Sequence, residues 1–279
     1  MAVRPTGPRD SGVHFFPLQR DISNKHKSGH FTTTFPSFSE TSKLPWNPSA
    51  YFYDFGMWTA CKESRAVVIS LIRKPFETQD LKHSGRAKVR HNQKDITFGL
   101  FPEYDLICIQ LPDTETLGWI CPDPLGNFNN HSRIYYACIG FEYDVSWTFD
   151  PDKDNIHDMT DKPGTRGAFL TLLTEIVSGG IRGHLYLIQH GAKLRPNKPG
   201  WGTFYGNGFN LTVAADDDAN MEDKIHGMNA WEFIGTVTFE GETYWEGWKD
   251  DQHEGVLFPG EHVDINADWH IDVLVCQEA

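Results

Sequence analysis

Short apolar runs, rich in β-branched and aromatic residues and broken by Pro, Gly, Asp or Asn, recur along most of this chain and constrain its fold more than any other feature. They read as strands. AYFYDFGMW (50–58), AVVISLI (66–72), DITFGLF (95–101) and DLICIQL (105–111) open the series. RIYYACIGFEYD (133–144) is dense enough in apolar residues to be a central strand covered on both faces. HLYLIQH (184–190), GFNLTVAA (208–215) and WHIDVLV (269–275) continue it.

The sharpest alternation falls at 231–240. Trp231, Phe233, Gly235, Val237 and Phe239 interleave there with Glu232, Ile234, Thr236, Thr238 and Glu240, and Gly241 follows. A period of two with a terminal glycine predicts a β-hairpin with one aromatic face. TRGAFLTLLTEIVSGG (165–180) differs. Its apolar residues Phe169, Leu172, Leu173, Ile176 and Val177 have helical spacing, Thr165 is a candidate N-cap and Gly179 a candidate terminator. Strands following strands around one helix predict a mainly β fold, an antiparallel β-sandwich or β-barrel of jelly-roll type, with an α-helix inserted near 166–178. No fixed-period repeat suggests a propeller or solenoid.

Residues 1–49 show neither a period of two nor one of 3.6 and carry many Ser, Thr, Pro, Lys and Arg residues. They read as an extended N-terminal arm, packed on the body through Phe15, Phe16, Phe31, Phe35, Phe38 and Trp46. Residues 50–279 read as a single β-rich domain.

A formal net charge of -13 repels phosphate backbones and anionic lipid, so neither nucleic acid nor membrane is expected as a partner. The basic stretch Lys82, His83, Arg86, Lys88, Arg90, His91 and Lys94 reads as a solvated loop. The N-terminal residues hold no apolar run of a secretory leader and no stretch approaches a membrane span, which predicts a cytoplasmic, intracellular protein. Cys61, Cys108, Cys121, Cys138 and Cys276 are odd in number and form no CxxC pair, so they read as thiols rather than a disulfide framework.

Candidate chemistry concentrates after the helix. Trp201, Tyr205, Trp231, Trp245 and Trp248 offer flat rings to an apolar ligand face, and the neighbouring Glu232, Glu242, Glu246, Asp250 and Asp251 can bind hydroxyls or handle protons. Sheet core and wet face are the alternative roles for these same residues. In KPGWGTFYGNGFN (198–210), four glycines let backbone and rings approach a ligand, or make a tight β-turn. His190 stands at a strand end before Gly191, where Arg195 could clamp an anion beside a general acid or base. In EHVDINADWHID, His262 with Asp264 and His270 with Asp272 each share a strand face, so an imidazole can couple to a carboxylate or ligate a metal. DPDKDNIHDMTD (150–161) sets Asp150, Asp152, Asp154, Asp158 and Asp161 at EF-hand-like spacing. Asn155 replaces the glycine and Pro151 stiffens the loop, so calcium competes with a solvated acidic loop ahead of the helix.

No nucleotide, haem or pyridoxal phosphate pattern and no GxSxG occurs. With 13 histidines and many aromatic residues, the chain is expected to be a lyase, isomerase or cyclase that needs no organic cofactor. It would act on a small organic substrate in an aromatic-lined β pocket. The alternative is an intracellular carbohydrate-binding protein, a lectin whose rings stack on a glycan.

Overall fold

Seven strands close into a mixed β-barrel in the computed structural model. It describes residues 11–20, 31–33, 62, 85–91, 94–100, 104–111, 137–144, 146–147, 149–150, 152–154, 156–177, 183–195, 201–206, 209–215, 219–221, 228–238 and 267–278. The strands are β1 (Ser11–Arg20), β2 (Phe31–Thr33), β3 (Gly85–His91), β4 (Lys94–Leu100), β5 (Leu106–Gln110) and β6 (Ala137–Glu142), then β7 (Gly183–Gln189), β8 (Ala192–Leu194), β9 (Trp201–Tyr205), β10 (Phe209–Val213), β11 (Ala219–Met221) and β12 (Ile271–Glu278). Among the described residues, the helices longer than a single residue are α1 (Ile156–Thr160), α2 (Thr165–Val177) and α3 (230–238), with a 3-10 turn at Ala267–His270.

The barrel order is β1-β5-β6-β7-β12-β10-β9, closed by β9 pairing with β1, where Ser11 faces Phe204 and Gly12 faces Tyr205. β2 continues the far end of β1, β3 pairs with β4, and β8 pairs with β11. The mainly β class and the barrel agree with the sequence expectation. Strand direction does not. β1, β5, β6, β7 and β12 run parallel and β9 runs parallel to β1, while only β10 is antiparallel to its two barrel neighbours. Parallel neighbours need long crossovers, and the connection from β6 to β7 carries α1 and α2. A helix-covered parallel sheet is buried on both faces, which is why β5 and β6 are apolar along nearly their whole length rather than alternating.

Residues 11–20, placed by the sequence in the arm, are a wall of the barrel. Successive residues from Gly12 to Phe16 are buried, with Val13 and Phe15 inside the barrel and Phe16 packed on the helix-covered outer face. Arg86, Lys88 and Arg90, read as loop, alternate along β3 in a hairpin with β4.

The interior is apolar at its middle. Val13, Phe15, Leu106, Cys108, Ile188, Phe204, Leu211 and Leu274 converge from six of the strands. Gly140 on β6 faces this plug so closely that an added Cβ would stand 2.9 Å from Cys108 Sγ and 3.2 Å from Leu106. Burial pushes the Cys108 thiol well above its ordinary value, and the Glu142 carboxylate adds to the effect.

The second core lies outside the barrel, between β5, β6, β7 and β12 and the helices. Phe141 meets Phe169 edge-on at 5.7 Å, and Trp147 and Phe233 extend the ring cluster. α2 forms where its spacing predicts, although the Thr165 hydroxyl donates to the Leu111 carbonyl at 3.3 Å instead of capping it.

The predicted hairpin at 231–240 is corrected: residues 230–238 are the helix α3. Ala230, Phe233 and Val237 fall at i, i+3 and i+7 and are fully buried, whereas Gly235 is exposed. Asn229 and Glu232 close a reciprocal cap. The Glu232 N–H donates to Asn229 Oδ1 at 2.8 Å and the Asn229 N–H to Glu232 Oε2 at 2.9 Å. The buried Gln189 side chain accepts from the Ala230 N–H at 2.9 Å, so the end of β7 fixes the start of α3. The Tyr143 hydroxyl donates to the Met228 carbonyl at 2.6 Å and ties β6 to the same point.

Candidate functional site

Among the described residues, three imidazole–carboxylate pairs join neighbouring parts of the barrel. The first couples β1 to the residue ahead of β5: His14 Nε2 lies 3.6 Å from Asp105 Oδ2, with both side chains 4% exposed. That separation is too long for a hydrogen bond, and the burial keeps the pair from any ligand. Asp105 also accepts from the Gly12 N–H at 2.8 Å and so serves the barrel seam.

The second pair lies at the carboxyl ends of the parallel strands. His190 Nε2 is 3.1 Å from Glu142 Oε1, and Gln110 Nε2 donates to Glu142 Oε2 at 2.9 Å. The predicted His190 thus has a carboxylate partner, but Arg195 engages the Ala219 carbonyl at 3.4 Å across the β8 and β11 pair instead of joining it.

The third pair lies at the opposite end. His184 is the second residue of β7 and Asp272 the second of β12, and Nε2 of the first is 2.9 Å from Oδ2 of the second. Parallel register places Asp272 beside Tyr186 on the inner face, and the His184 ring tilts over Tyr186 with centroids 4.7 Å apart. Tyr186 in turn meets Phe204 of β9 edge-on at 5.3 Å. His184 is 14% exposed and Asp272 45%, so this pair is structured yet reachable.

A cleft of about 480 Å³ opens beside it. β10 ends at Val213, which faces Leu274, and the Ala214 N–H still donates to the Val273 carbonyl at 3.0 Å, while β12 extends further to Ile271. Tyr186, Phe204 and Asp272 line the cleft from the barrel mouth, and Trp231, Ile234 and Ile271 from the α3 side. Trp231 is held there because its Nε1–H donates to the Ala214 carbonyl at 2.9 Å. His270 ends the 3-10 turn below the pair, and burial first, then the nearby charge of His184, lower its pKa from the ordinary imidazole value.

Of the sequence-predicted ligand residues, Trp231 lines this cleft. Trp201 begins β9 in register with Val213, and Tyr205 ends β9 beside Gly12 and Asn210. Trp245, Trp248, His262 and Asp264 lie outside the described residues. His184 was visible only as a strand residue. The neighbouring His270-x-Asp272 spacing flagged the carboxylate, but the imidazole bonded to it comes from another strand. In 150–161, the Lys153 ammonium binds Asp150 and lowers its pKa, the Asp150 N–H donates to Asp154, and α1 occupies the second half. No group of three or more His, Cys, Asp or Glu side chains among the described residues could hold a metal ion. No described helix is long and apolar enough to cross a membrane.

Fold and site together define a mixed β-barrel, flanked by helices on one side, with an imidazole–carboxylate pair whose Asp272 lines an aromatic cleft. No family model matches the chain, and no match to it is found among curated proteins or solved structures.

Proposed function

We propose that the chain is an enzyme of acid–base chemistry, of the lyase, isomerase or cyclase kind, acting on a small organic substrate in the cleft beside His184. One observation carries this reading: a partly exposed His184–Asp272 hydrogen bond of 2.9 Å at the edge of an aromatic cavity large enough for a small molecule. With Nε2–H donating to Asp272, the other ring nitrogen is the proton acceptor, and the carboxylate stabilises the imidazolium that forms. Tyr186, Phe204 and Trp231 supply the apolar walls that orient a substrate and exclude water.

Proton abstraction leaves a record that needs no knowledge of the product. Purified protein is incubated in deuterated water with a library of small metabolites, and carbon-bound deuterium is read by NMR. Exchange or turnover that disappears in His184→Gln supports the assignment. The carbohydrate-binding reading draws on the same rings and on Asp272, and glycan-array binding without turnover of any library member would replace the enzyme with a lectin.

A further inference from the structure

The chemical character of the cleft goes further than its shape. Asp272 is the one formally charged side chain among its described lining residues, which include neither Lys nor Arg. Its side chain is 45% exposed, so the carboxylate is open to a ligand as well as to His184. Around it stand a tyrosine, a phenylalanine and a tryptophan. Each has an electron-rich ring face, and the Trp231 indole is anchored by its N–H to Ala214. An anionic ligand would meet a carboxylate that repels it, with no described Lys or Arg on the lining to offset it. A ligand with a positive charge meets the reverse. The net charge of -13 also draws cations toward the whole molecule.

We infer that the cleft binds an organic cation, an amine or quaternary ammonium group set between the Asp272 carboxylate and the rings of Tyr186, Phe204 and Trp231. This rests on the cleft being the ligand site, as proposed above, but not on any turnover there. The carboxylate provides the counter-charge and the rings accept the alkylated nitrogen, whose methyl groups need no hydrogen-bond partner. Asp272 then has two roles, orienting His184 through Oδ2 and setting the sign of the ligand charge.

The test compares choline with 3,3-dimethylbutan-1-ol, its neutral isostere, titrated into the full chain by calorimetry up to about 10 mM. Choline is expected to bind about tenfold more tightly or better. Asp272→Asn should erase most of that preference, and Trp231→Leu should weaken choline, with a thermal melt confirming that each variant is folded. Equal affinity for the two compounds, no binding of choline, or a preference that survives Asp272→Asn overturns the inference. The two claims separate cleanly. Deuterium exchange lost in His184→Gln, together with no preference for choline, would keep the acid–base enzyme and remove the cation site. Choline preference without exchange in any compound would keep the cation site and remove the enzyme.

Discussion

His184 and Asp272 are separated by 88 positions in the chain, yet their side chains meet at 2.9 Å because β7 and β12 are adjacent parallel strands that begin at the same end of the barrel. If this pair moves protons, His184→Gln should lower turnover by roughly 10²- to 10⁴-fold with little change in melting temperature. Asp272→Asn should cost less, because the imidazolium loses its counter-charge while the ring keeps a hydrogen-bond partner. A stable, folded His184→Gln protein of full activity would remove the residue from the mechanism.

His270 makes the same end of the barrel sensitive to acid. Its folded pKa is held below the unfolded value of about 6.5, chiefly by burial. As pH falls below that value the unfolded chain therefore takes up more protons than the folded one, and stability decreases. Urea midpoints measured between about pH 7 and 5 should fall, and those of His270→Asn should fall less steeply. Parallel slopes for the two proteins would show that His270 is not the source.

The centre of the barrel is packed to its limit at Gly140. Gly140→Ala places a methyl group 2.9 Å from Cys108 Sγ, closer than van der Waals contact permits. The expected cost is about 1–3 kcal/mol. Adding Cys108→Ala removes the clashing sulfur, so the double variant should be more stable than the sum of the single losses implies. Denaturant unfolding of the four proteins in the cycle checks this directly.

α3 depends on its cap as much as on its buried side. Asn229→Ala removes the acceptor for the Glu232 N–H and should cost about 1 kcal/mol, a fall of about 2–4 °C in a chain of this size. Asn229→Asp should keep most of the stability. Because α3 carries Trp231 to the cleft, Asn229→Ala should also weaken choline binding, and calorimetry on both variants distinguishes a loosened helix from a lost contact.

Much of the barrel was legible because a strand announces itself locally. β5, β6 and β10 lie within the runs 105–111, 133–144 and 208–215, β7 and β12 overlap the runs 184–190 and 269–275, and α2 lies where Phe169, Leu172, Leu173, Ile176 and Val177 share a helical face. The miss at 231–240 has a local cause too. The same residues satisfy a period of two and, through Ala230, Phe233 and Val237, a period near 3.6, and their β-branched content favours the strand. The Asn229-x-x-Glu232 cap was the readable sign of a helix, four residues wide and easily outweighed by a ten-residue alternation.

The sequence by itself determined the mainly β class, the helix at α2, the apolar character of the parallel strands and the aromatic wealth of the region around Trp231. Each of these depends on residues close together in the chain. Only the tertiary structure decided that the strands run mostly parallel, that β1 joins β9 to close the barrel, and that Asp272 pairs with His184 rather than with His270 two positions away. The physical reason is common to all three. Side-chain periodicity specifies which face of an element is buried, whereas strand order and direction are settled by long-range packing, where the crossover through α2 and the docking of α3 on the outer face bring together residues that no local pattern connects.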